Sequence, residues 1–320
     1  MVYLLAFGAA AIGTVVLGLL VIPVLRRLKA GQTIRSDGPT GHLEKIGTPT
    51  MGGLIFLVPI IIASLFISSP NFTMALLIFM TVGFGIIGFT DDYIKVVLKR
   101  SLGLKAREKL LGQVLLSLVL AFVIIVFSDR GTDIWIPFIG DVASGWLYLP
   151  FVIFVVVGTT NAVNLTDGLD GLAAGTVAVA ALAFLVVSIV LGNSYTAIFA
   201  AALAGGCIGF LLFNFHPAGV FMGDTGSLAL GAAIATLAIL TKTEILLVII
   251  GAVFVIEVVS VILQVIFFKT TGKRLFLMSP LHHHYELKGW GEKKIVLAFY
   301  FAAIIFAFLG IAILLAGNAA

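Results

Sequence analysis

The sequence predicts an all-α, polytopic integral membrane protein with about ten transmembrane helices. Mean hydropathy is +1.22, and only 11% of the 320 residues are charged. Apolar runs long enough to cross a bilayer recur along the whole chain, separated by short polar segments. No polar stretch is long enough for a separate soluble domain. We therefore expect residues 1–320 to form a single integral membrane domain.

Ten apolar runs, most of about 17–25 residues, predict the spans in chain order. They lie at approximately 3–25, 52–68, 73–90, 111–128, 148–164, 172–191, 195–213, 228–241, 245–268 and 295–316. The first run is too long for a cleaved signal and ends in Arg26 and Arg27, as an anchored span does. Turn residues at 68–71 and 192–194 separate neighbouring spans.

The basic residues set the orientation, because cytoplasmic loops carry an excess of lysine and arginine. Of the 19 lysines and arginines, 17 follow spans 1, 3 and 9. They are Arg26, Arg27, Lys29, Arg35, Lys45, Lys95, Lys99, Arg100, Lys105, Arg107, Lys109, Lys269, Lys273, Arg274, Lys288, Lys293 and Lys294. With ten spans these loops share one face, the cytoplasmic one, and both termini are extracytoplasmic. The loop at 129–146 lies outside, with Asp129, Asp133 and Asp141 solvated and Trp135 and Trp146 as interfacial anchors.

Two adjacent aspartates, Asp91 and Asp92, close the third span. Acids that interrupt apolar stretches are functional candidates, because they are costly to hold near a bilayer. Neighbouring helix residues point about 100° apart, so one carboxylate can reach a reacting group while the other faces elsewhere. Lys95 lies three and four residues on and shares a face with both acids. The alternative is a solvated helix end, but acids at a helix C-terminus oppose the macrodipole. We interpret both aspartates as catalytic candidates.

A second polar segment repeats an amide or acid at every third position. Its members are Asn161, Asn164, Asp167 and Asp170. If the segment is helical, this spacing places them along one face. Amides and carboxylates on one stripe suit a sugar, a nucleotide or a hydrated metal. The alternative is a polar loop with helix-capping residues.

A third segment, residues 221–227, precedes the eighth span and contains Asp224. Free N–H groups at a helix start favour anions, and Asp224 there can hold Mg²⁺ against a diphosphate. The alternative is helix capping by Asp224 or Thr225. Phe221 offers a stacking surface for a base, although a single phenylalanine is more often part of the packing.

Three consecutive histidines, His282, His283 and His284, follow Pro280 in the last basic loop. Adjacent histidines rarely converge on one ion, and no cysteine spacing supports a zinc site. Contacts with phosphate or with metal-bound water are the preferred interpretation. An exposed polar run is the alternative.

Four further polar residues adjoin or interrupt spans. Lys45 and Lys109 are candidate phosphate ligands, with ordinary positive-inside charge as the alternative. Glu257 and Gln264 lie seven residues apart on the ninth span and hence on one face. Gln264, near the cytoplasmic end, can read a nucleobase edge. Glu257 has no role on the sequence beyond helix pairing or bending.

The three acid segments and the histidine run together resemble a known family. GFTDDYIK, NAVNLTDGLDGLAAG, NFHPAGVFMGDTGS and SPLHHHYE, in this order, are similar to motifs of the bacterial phospho-N-acetylmuramoyl-pentapeptide transferases. These belong to the polyprenyl-phosphate N-acetylhexosamine-1-phosphate transferase superfamily. The resemblance covers essentially the whole chain, including KIGTPTMGG.

The resemblance implies one catalytic domain that transfers phospho-MurNAc-pentapeptide from UDP-MurNAc-pentapeptide to undecaprenyl phosphate, giving UMP and lipid I. Mg²⁺ is the implied cofactor, with Asp224 as its ligand, and Asp91, Asp92, Asp224 and His283 are the implied catalytic residues. The implied nucleotide-sugar residues are Lys45, Asn164, Asp167, Asp170, Asn214, Phe221, Gln264 and His283. The residue pattern itself adds Lys95, Lys109, Asn161, His282 and His284 as substrate-binding candidates. Phe221 and Gln264 would hold the uracil. The implied place is the bacterial cytoplasmic membrane, among its lipids, with the site on the cytoplasmic face.

Several alternatives stay open on the sequence. A sister transferase using UDP-GlcNAc shares the acidic motifs, and an anionic-solute transporter would place its site nearer the bilayer midplane. Direct attack by the lipid phosphate competes with an aspartyl phospho-enzyme route. We expect no nucleic-acid partner. The oligomeric state is open, a homodimer being one alternative.

Overall fold

The structure, a computed structural model, describes residues 1–27, 45, 47–100 and 102–317. Lys29 and Arg35, predicted to be cytoplasmic, lie outside the described residues, as does most of the segment before Lys45. The described chain forms twelve α-helices and one β-hairpin. The helices are α1 (Val2–Arg27), α2 (Gly53–Ile67), α3 (Phe72–Val96), α4 (Ala106–Phe127), α5 (Tyr148–Thr166), α6 (Leu172–Val190), α7 (Ser194–Asn214), α8 (Gly223–Leu240), α9 (Glu244–Ile250), α10 (Ala252–Thr271), α11 (Leu281–Leu287) and α12 (Glu292–Gly317).

The helices confirm the all-α, polytopic fold class. Among the described residues, nine helices are long and apolar enough to cross a membrane, and α2 is a shorter apolar helix. Large apolar side chains stay exposed on the outer helices, for example Phe66, Phe301 and Phe308. Exposed aromatic and aliphatic surface of this extent is stable against lipid tails rather than water. The chain is therefore a multi-pass membrane protein.

The centre of the bundle is formed by α7 and α8. Most residues of these two helices are buried, whereas most residues of α1, α4, α10 and α12 are not. Helix α8 packs against α3 and α5, and α7 packs against α1 and α6. The start of α8 is therefore surrounded by other helices, and it carries Asp224.

The two predicted turns are confirmed. Each contains an asparagine that caps the N-terminus of the following helix. The Asn71 side chain accepts the backbone N–H of Thr73 at 2.7 Å, and Asn193 accepts that of Thr196 at 3.2 Å. Asparagine at such a position satisfies an N–H group that has no partner inside the helix. These caps fix where α3 and α7 begin.

The prediction of one continuous helix for the ninth span is wrong, because the segment forms two helices. Residues 245–268 divide between α9 and α10 at Gly251, whose backbone (φ −92°, ψ 20°) leaves the helical conformation. Glycine is a common cause of a helix break. The break lies six residues before Glu257 and is therefore not at the position where bending was expected. A single glycine in an apolar run hardly changes the hydropathy, so a hydropathy window does not detect the break.

Helices α3 and α8 extend further into the polar motifs than the hydropathy predicts. The third span was predicted to end at residue 90, yet α3 continues to Val96. The eighth was predicted to begin at residue 228, yet α8 begins at Gly223. Asp91, Asp92 and Asp224 are therefore helical residues on packed elements and not loop residues.

The segment at 129–146, which was predicted to lie outside, contains a β-hairpin. Strand β1 (Asp133–Ile136) pairs antiparallel with β2 (Gly140–Ala143). The preceding Arg130 is buried, pairs with the Glu244 carboxylate and donates from Nε to the Ile239 carbonyl at 2.7 Å. The hairpin is thereby attached to the C-terminal end of α8 and the start of α9, opposite the end of α8 that carries Asp224.

Candidate functional site

Three aspartates meet where the C-terminal end of α3 touches the start of α8. Asp91, Asp92 and Asp224 each offer a carboxylate oxygen, and these oxygens lie within 4.8 Å of one another. The approach is close because Gly88 of α3 lies against the Asp224 backbone, where any side chain would overlap with it. The two acidic segments are far apart in sequence. The packing of α3 on α8 brings Asp91 and Asp92 together with Asp224 in one cluster.

Asp224 lies between two lysines and an amide. Its Oδ2 accepts from Lys95 Nζ and Lys109 Nζ, each at 3.0 Å, and its Oδ1 accepts from Asn164 Nδ2 at 2.8 Å. The Asp224 side chain is 16% exposed, against 3% for that of Asp91. Asp224 is thus the more accessible acid of the two, and two cations already stand beside it.

Asp92 holds the start of α8. Its carboxylate accepts the backbone N–H groups of Asp224 (3.1 Å) and Thr225 (2.9 Å) and the Thr225 hydroxyl (2.6 Å). A carboxylate on the first N–H groups of a helix satisfies unpaired donors and complements the helix dipole. The expectation that these N–H groups are free for a substrate anion is therefore wrong, since Asp92 occupies two of them. Neither Asp224 nor Thr225 caps the helix itself.

Asp91 is almost fully buried and is held from two sides. Its Oδ1 accepts the backbone N–H of Leu104 at 2.7 Å, and its Oδ2 lies 2.5 Å from Lys95 Nζ. Lys95 was expected to share a face with both acids, but the side chain pairs with Asp91 and Asp224. Asp91 thus fixes the loop before α4 and orients Lys95 toward Asp224.

The stripe of polar residues at 161–170 divides at the end of α5. Asn161 and Asn164 lie on α5, which ends at Thr166, so the prediction of one helical face is wrong for Asp167 and Asp170. Asn161 Nδ2 donates to Gln113 Oε1 of α4 at 2.8 Å, one turn from Lys109. Asn164 alone of the two reaches Asp224.

Asp170 belongs to a second charged cluster, built around Lys45. Lys45 Nζ lies 2.7 Å from Asp170 Oδ1 and 2.7 Å from Glu292 Oε1. His216 Nδ1 lies 3.0 Å from Asp170 Oδ2 and 3.1 Å from Glu292 Oε2. Glu292 and His216 were missed on the sequence. His216 stands in the quoted NFHPAG motif, whereas nothing local distinguishes Glu292 from other acids at helix starts.

The two clusters are connected electrostatically through Asp167. Its half-buried carboxyl has a pKa well above its usual value, because burial disfavours the charge and Asp224, Asp92 and Asp170 repel it. Burial alone would lower the pKa of the Lys45 ammonium, but its bonds to Asp170 and Glu292 outweigh burial and raise it. Lys45 therefore stays charged, and Asp167 holds a proton more readily than a solvated aspartate.

Asn214 and Phe221 shape the backbone beside these clusters. The buried Asn214 amide accepts the Gly171 N–H at 3.1 Å and donates to the Val220 carbonyl at 2.9 Å. Asn214 therefore joins the turn that carries Asp170 to the segment that carries Phe221. The half-buried Phe221 accepts the Gly52 N–H at its carbonyl and donates its own N–H to the Pro49 carbonyl.

Gln264 and the three histidines lie on or beside the short helix α11. Gln264 Oε1 accepts the N–H groups of Leu275 and Phe276, and its Nε2 donates to the Phe276 carbonyl, so its amide is engaged by the backbone. His284 Nδ1 accepts the Leu277 N–H, and burial lowers the pKa of His284. His283 Nδ1 lies 2.6 Å from Glu286 Oε2, and His282 is fully buried.

The donor set of the first cluster fits a hard divalent cation. Carboxylate oxygens are the ligands that Mg²⁺ prefers, usually one or two per ion with water and substrate oxygens. Asp170, His216 and Glu292 also come within ligand distance of one another. The second cluster includes the His216 imidazole, whereas the first offers only oxygen ligands, so the cluster around Asp224 is the better magnesium candidate.

Family models match the regions that hold the first cluster and, apart from Glu292, the second. The model described as glycosyl transferase family 4 matches residues 74–242. The model described as phospho-N-acetylmuramoyl-pentapeptide-transferase signature 1 matches residues 45–57, which begin at Lys45.

Whole-chain relatives give the same result. A phospho-N-acetylmuramoyl-pentapeptide-transferase of Desulforudis audaxviator is 54% identical over 97% of both chains. Relatives of that name from Heliobacterium modesticaldum and Bacillus licheniformis are each 56% identical, over 95% and 93% of this chain and 94% and 93% of theirs. The similarity therefore extends over nearly all of the helices described above.

Proposed function

Because the chain belongs to the phospho-N-acetylmuramoyl-pentapeptide-transferase family, we propose that it makes lipid I. It transfers phospho-MurNAc-pentapeptide from UDP-MurNAc-pentapeptide to undecaprenyl phosphate and releases UMP, at the cytoplasmic face of a bacterial cytoplasmic membrane. The observation that carries the proposal is Asp224, a partly exposed acid between Lys95 and Lys109 in a cluster of three carboxylates. The lysines suit a diphosphate, and the membrane surface is where the lipid and water-soluble substrates meet.

Asp224 would hold Mg²⁺, because Asp91 and Asp92 are buried and their oxygens are engaged by other groups. When bound there, the ion supplies positive charge to the diphosphate and to the departing UMP. Lys95 and Lys109 offset the repulsion between two anionic substrates. Lys45, Asp170 and the turn between Asp167 and Gly171 form the nucleotide-sugar side of the site.

The reaction is a substitution at the phosphorus that bears the sugar. An oxygen of undecaprenyl phosphate forms a bond to this phosphorus, and the bond to the bridging oxygen of UMP breaks. The electron pair of the broken bond leaves with UMP. Asp91 orients Lys95. The lipid phosphate would approach the positive charge of this lysine.

Direct attack by the lipid phosphate is favoured over an aspartyl phospho-enzyme. A nucleophilic carboxylate needs a free oxygen aimed at the substrate. Asp92 accepts three hydrogen bonds from the start of α8, and Asp91 is held by Leu104 and Lys95. Exchange of labelled UMP into the UDP-sugar without lipid would instead support the covalent route.

The test is UMP release by the purified protein in detergent with UDP-MurNAc-pentapeptide, undecaprenyl phosphate and Mg²⁺. UMP and lipid product from the wild type, lost with EDTA and in an Asp224→Asn variant, would support the reaction and the metal site. A folded wild type that releases no UMP from this donor, but does so from UDP-GlcNAc, would replace the muramoyl proposal by its sister reaction.

A further inference from the structure

Glu257 is a fully buried carboxylate on α10, and the mechanism above does not use it. The helix is largely lipid-facing, but Glu257 faces inward and is 0% exposed. Among the described residues, this carboxylate accepts hydrogen bonds from His282 of α11 alone. The His282 backbone N–H reaches Oε1 at 3.2 Å, and Nδ1 reaches Oε2 at 3.1 Å. One acid inside the bundle thus holds the start of α11 and one imidazole ring.

The pairing decides which nitrogen of His282 carries the proton. A carboxylate only accepts hydrogen bonds, so Nδ1 must be the donor. In the neutral ring Nε2 is then left with its lone pair. A carboxylate that fixes the tautomer and the ring orientation of a histidine in this way is a familiar supporting contact at functional sites.

The other nitrogen of His282 points at the turn that carries Asp167 and Asp170. His282 Nε2 is buried and has no hydrogen-bond partner among the described residues. It lies against Gly168, where even a methyl group would overlap with it. Gly168 follows Asp167 directly, and the turn continues to Asp170, which binds Lys45. The His282 ring therefore contacts the buried Glu257 through one nitrogen and the Gly168 turn through the other. That turn lies on the proposed nucleotide-sugar side of the site.

We propose that Glu257 is a positioning residue for the transfer reaction. Its charge fixes His282 as the Nδ1–H tautomer, and the oriented ring sets α11 against the Asp167–Gly168 turn. His283 is the next residue of α11, and its ring lies against that of His282, so the same contact fixes its place. This proposal rests on the proposed function for its activity readout, but its structural content is the tautomer of His282.

Two substitutions of Glu257 distinguish positioning of His282 by charge from a role in packing alone. Glu257→Gln keeps the shape but places an amide donor against Nδ1, which drives the proton to Nε2 and toward Gly168. Glu257→Asp shortens the side chain but keeps a charged acceptor. A packing role predicts that Gln is tolerated better than Asp, whereas positioning by charge predicts the reverse.

The experiment combines UMP-release kinetics with nitrogen NMR of histidine-labelled protein in detergent. Ser260→Ala serves as the control, because Ser260 lies on the same buried side of α10 and bonds only to its own helix in the described structure. We expect kcat to fall about tenfold or more in Glu257→Gln and to recover largely in Glu257→Asp. We also expect the His282 signal to show Nδ1–H in the wild type and Nε2–H in Glu257→Gln.

Each outcome decides the proposal. Wild-type kcat in a folded Glu257→Gln variant, or better activity with Gln than with Asp, would overturn it. If Glu257→Gln does not fold, the wild-type spectrum alone decides, since a His282 proton on Nε2 contradicts the pairing. A wild type that shows Nδ1–H but releases no UMP would refute the proposed function while leaving the Glu257–His282 pairing intact.

Discussion

Asp92 and Thr225 form the tightest polar contact between α3 and α8. The Asp92 carboxylate accepts the Thr225 N–H at 2.9 Å and the Thr225 hydroxyl at 2.6 Å, and both residues are buried. The same carboxylate binds the N–H of Asp224. The position of the candidate metal ligand therefore depends on an acid that itself has no free oxygen for substrate.

The first prediction follows from this contact. Asp92→Asn should lower the free energy of unfolding by about 1–3 kcal/mol, because hydrogen bonds to a charged acceptor are lost in a buried place. Thr225→Val, which removes only the hydroxyl, should cost about 1 kcal/mol. Thermal unfolding in detergent measures both. Equal stability of Asp92→Asn and the wild type would show that Asp92 does not hold the start of α8.

A second prediction concerns Lys109, which pairs with Asp224 from α4. Lys109→Gln should reduce kcat/KM for UMP release about 100-fold, by analogy with the removal of one preorganised donor from a reacting oxyanion. Arg107→Gln is the matched control, since Arg107 is exposed on the first turn of the same helix. Steady-state kinetics of the two variants test the idea. Equal effects from both substitutions would mean that only the net charge of the loop matters.

Hydropathy predicted the spans because a bilayer demands about 20 apolar residues for each helix. It could not predict that α3 and α8 continue past their apolar runs into Asp91, Asp92 and Asp224. Those ends are stabilised by contacts between two helices more than a hundred residues apart in sequence. A hydropathy window contains no information on such contacts.

The sequence also could not separate the roles of the two adjacent aspartates. Asp91 and Asp92 are the same residue type at adjacent positions, so the local sequence cannot distinguish their roles. Their difference arises from what each meets: Leu104 and Lys95 on one side, and the start of α8 on the other. Glu292 was missed for a related reason, because its contacts with Lys45 and Asp170 join the two ends of the chain.

A third prediction concerns pH and Asp167, whose pKa is raised by burial and by neighbouring carboxylates. The folded protein keeps this proton to higher pH than the unfolded chain does. Its free energy of unfolding therefore falls as pH rises from the ordinary carboxyl pKa toward the raised one. Asp167→Asn lacks this penalty, so its stability advantage over the wild type should grow with pH across that range.

Melting temperatures of the wild type and Asp167→Asn, taken at about pH 5 and about pH 8, measure this effect. Asp141→Asn is a suitable control, because Asp141 is exposed on the hairpin at the opposite end of the bundle. An advantage of Asp167→Asn that shrinks with rising pH would contradict the assigned direction of the pKa shift.

The last prediction tests whether the hairpin end of the bundle is independent of the site. Arg130 and Glu244 are both buried, and Tyr148 donates its hydroxyl to the same Glu244 carboxylate at 3.1 Å. Arg130→Met leaves that carboxylate without its cation, which should cost about 3–5 kcal/mol of stability. Arg130→Met combined with Glu244→Leu should recover much of the loss, because no unpaired charge remains. The kcat of the folded fraction should stay at the wild-type value in both, since the pair is at the opposite end from Asp224. A fall in kcat that follows the loss of stability would instead show that the attachment of α8 to the hairpin sets the position of Asp224.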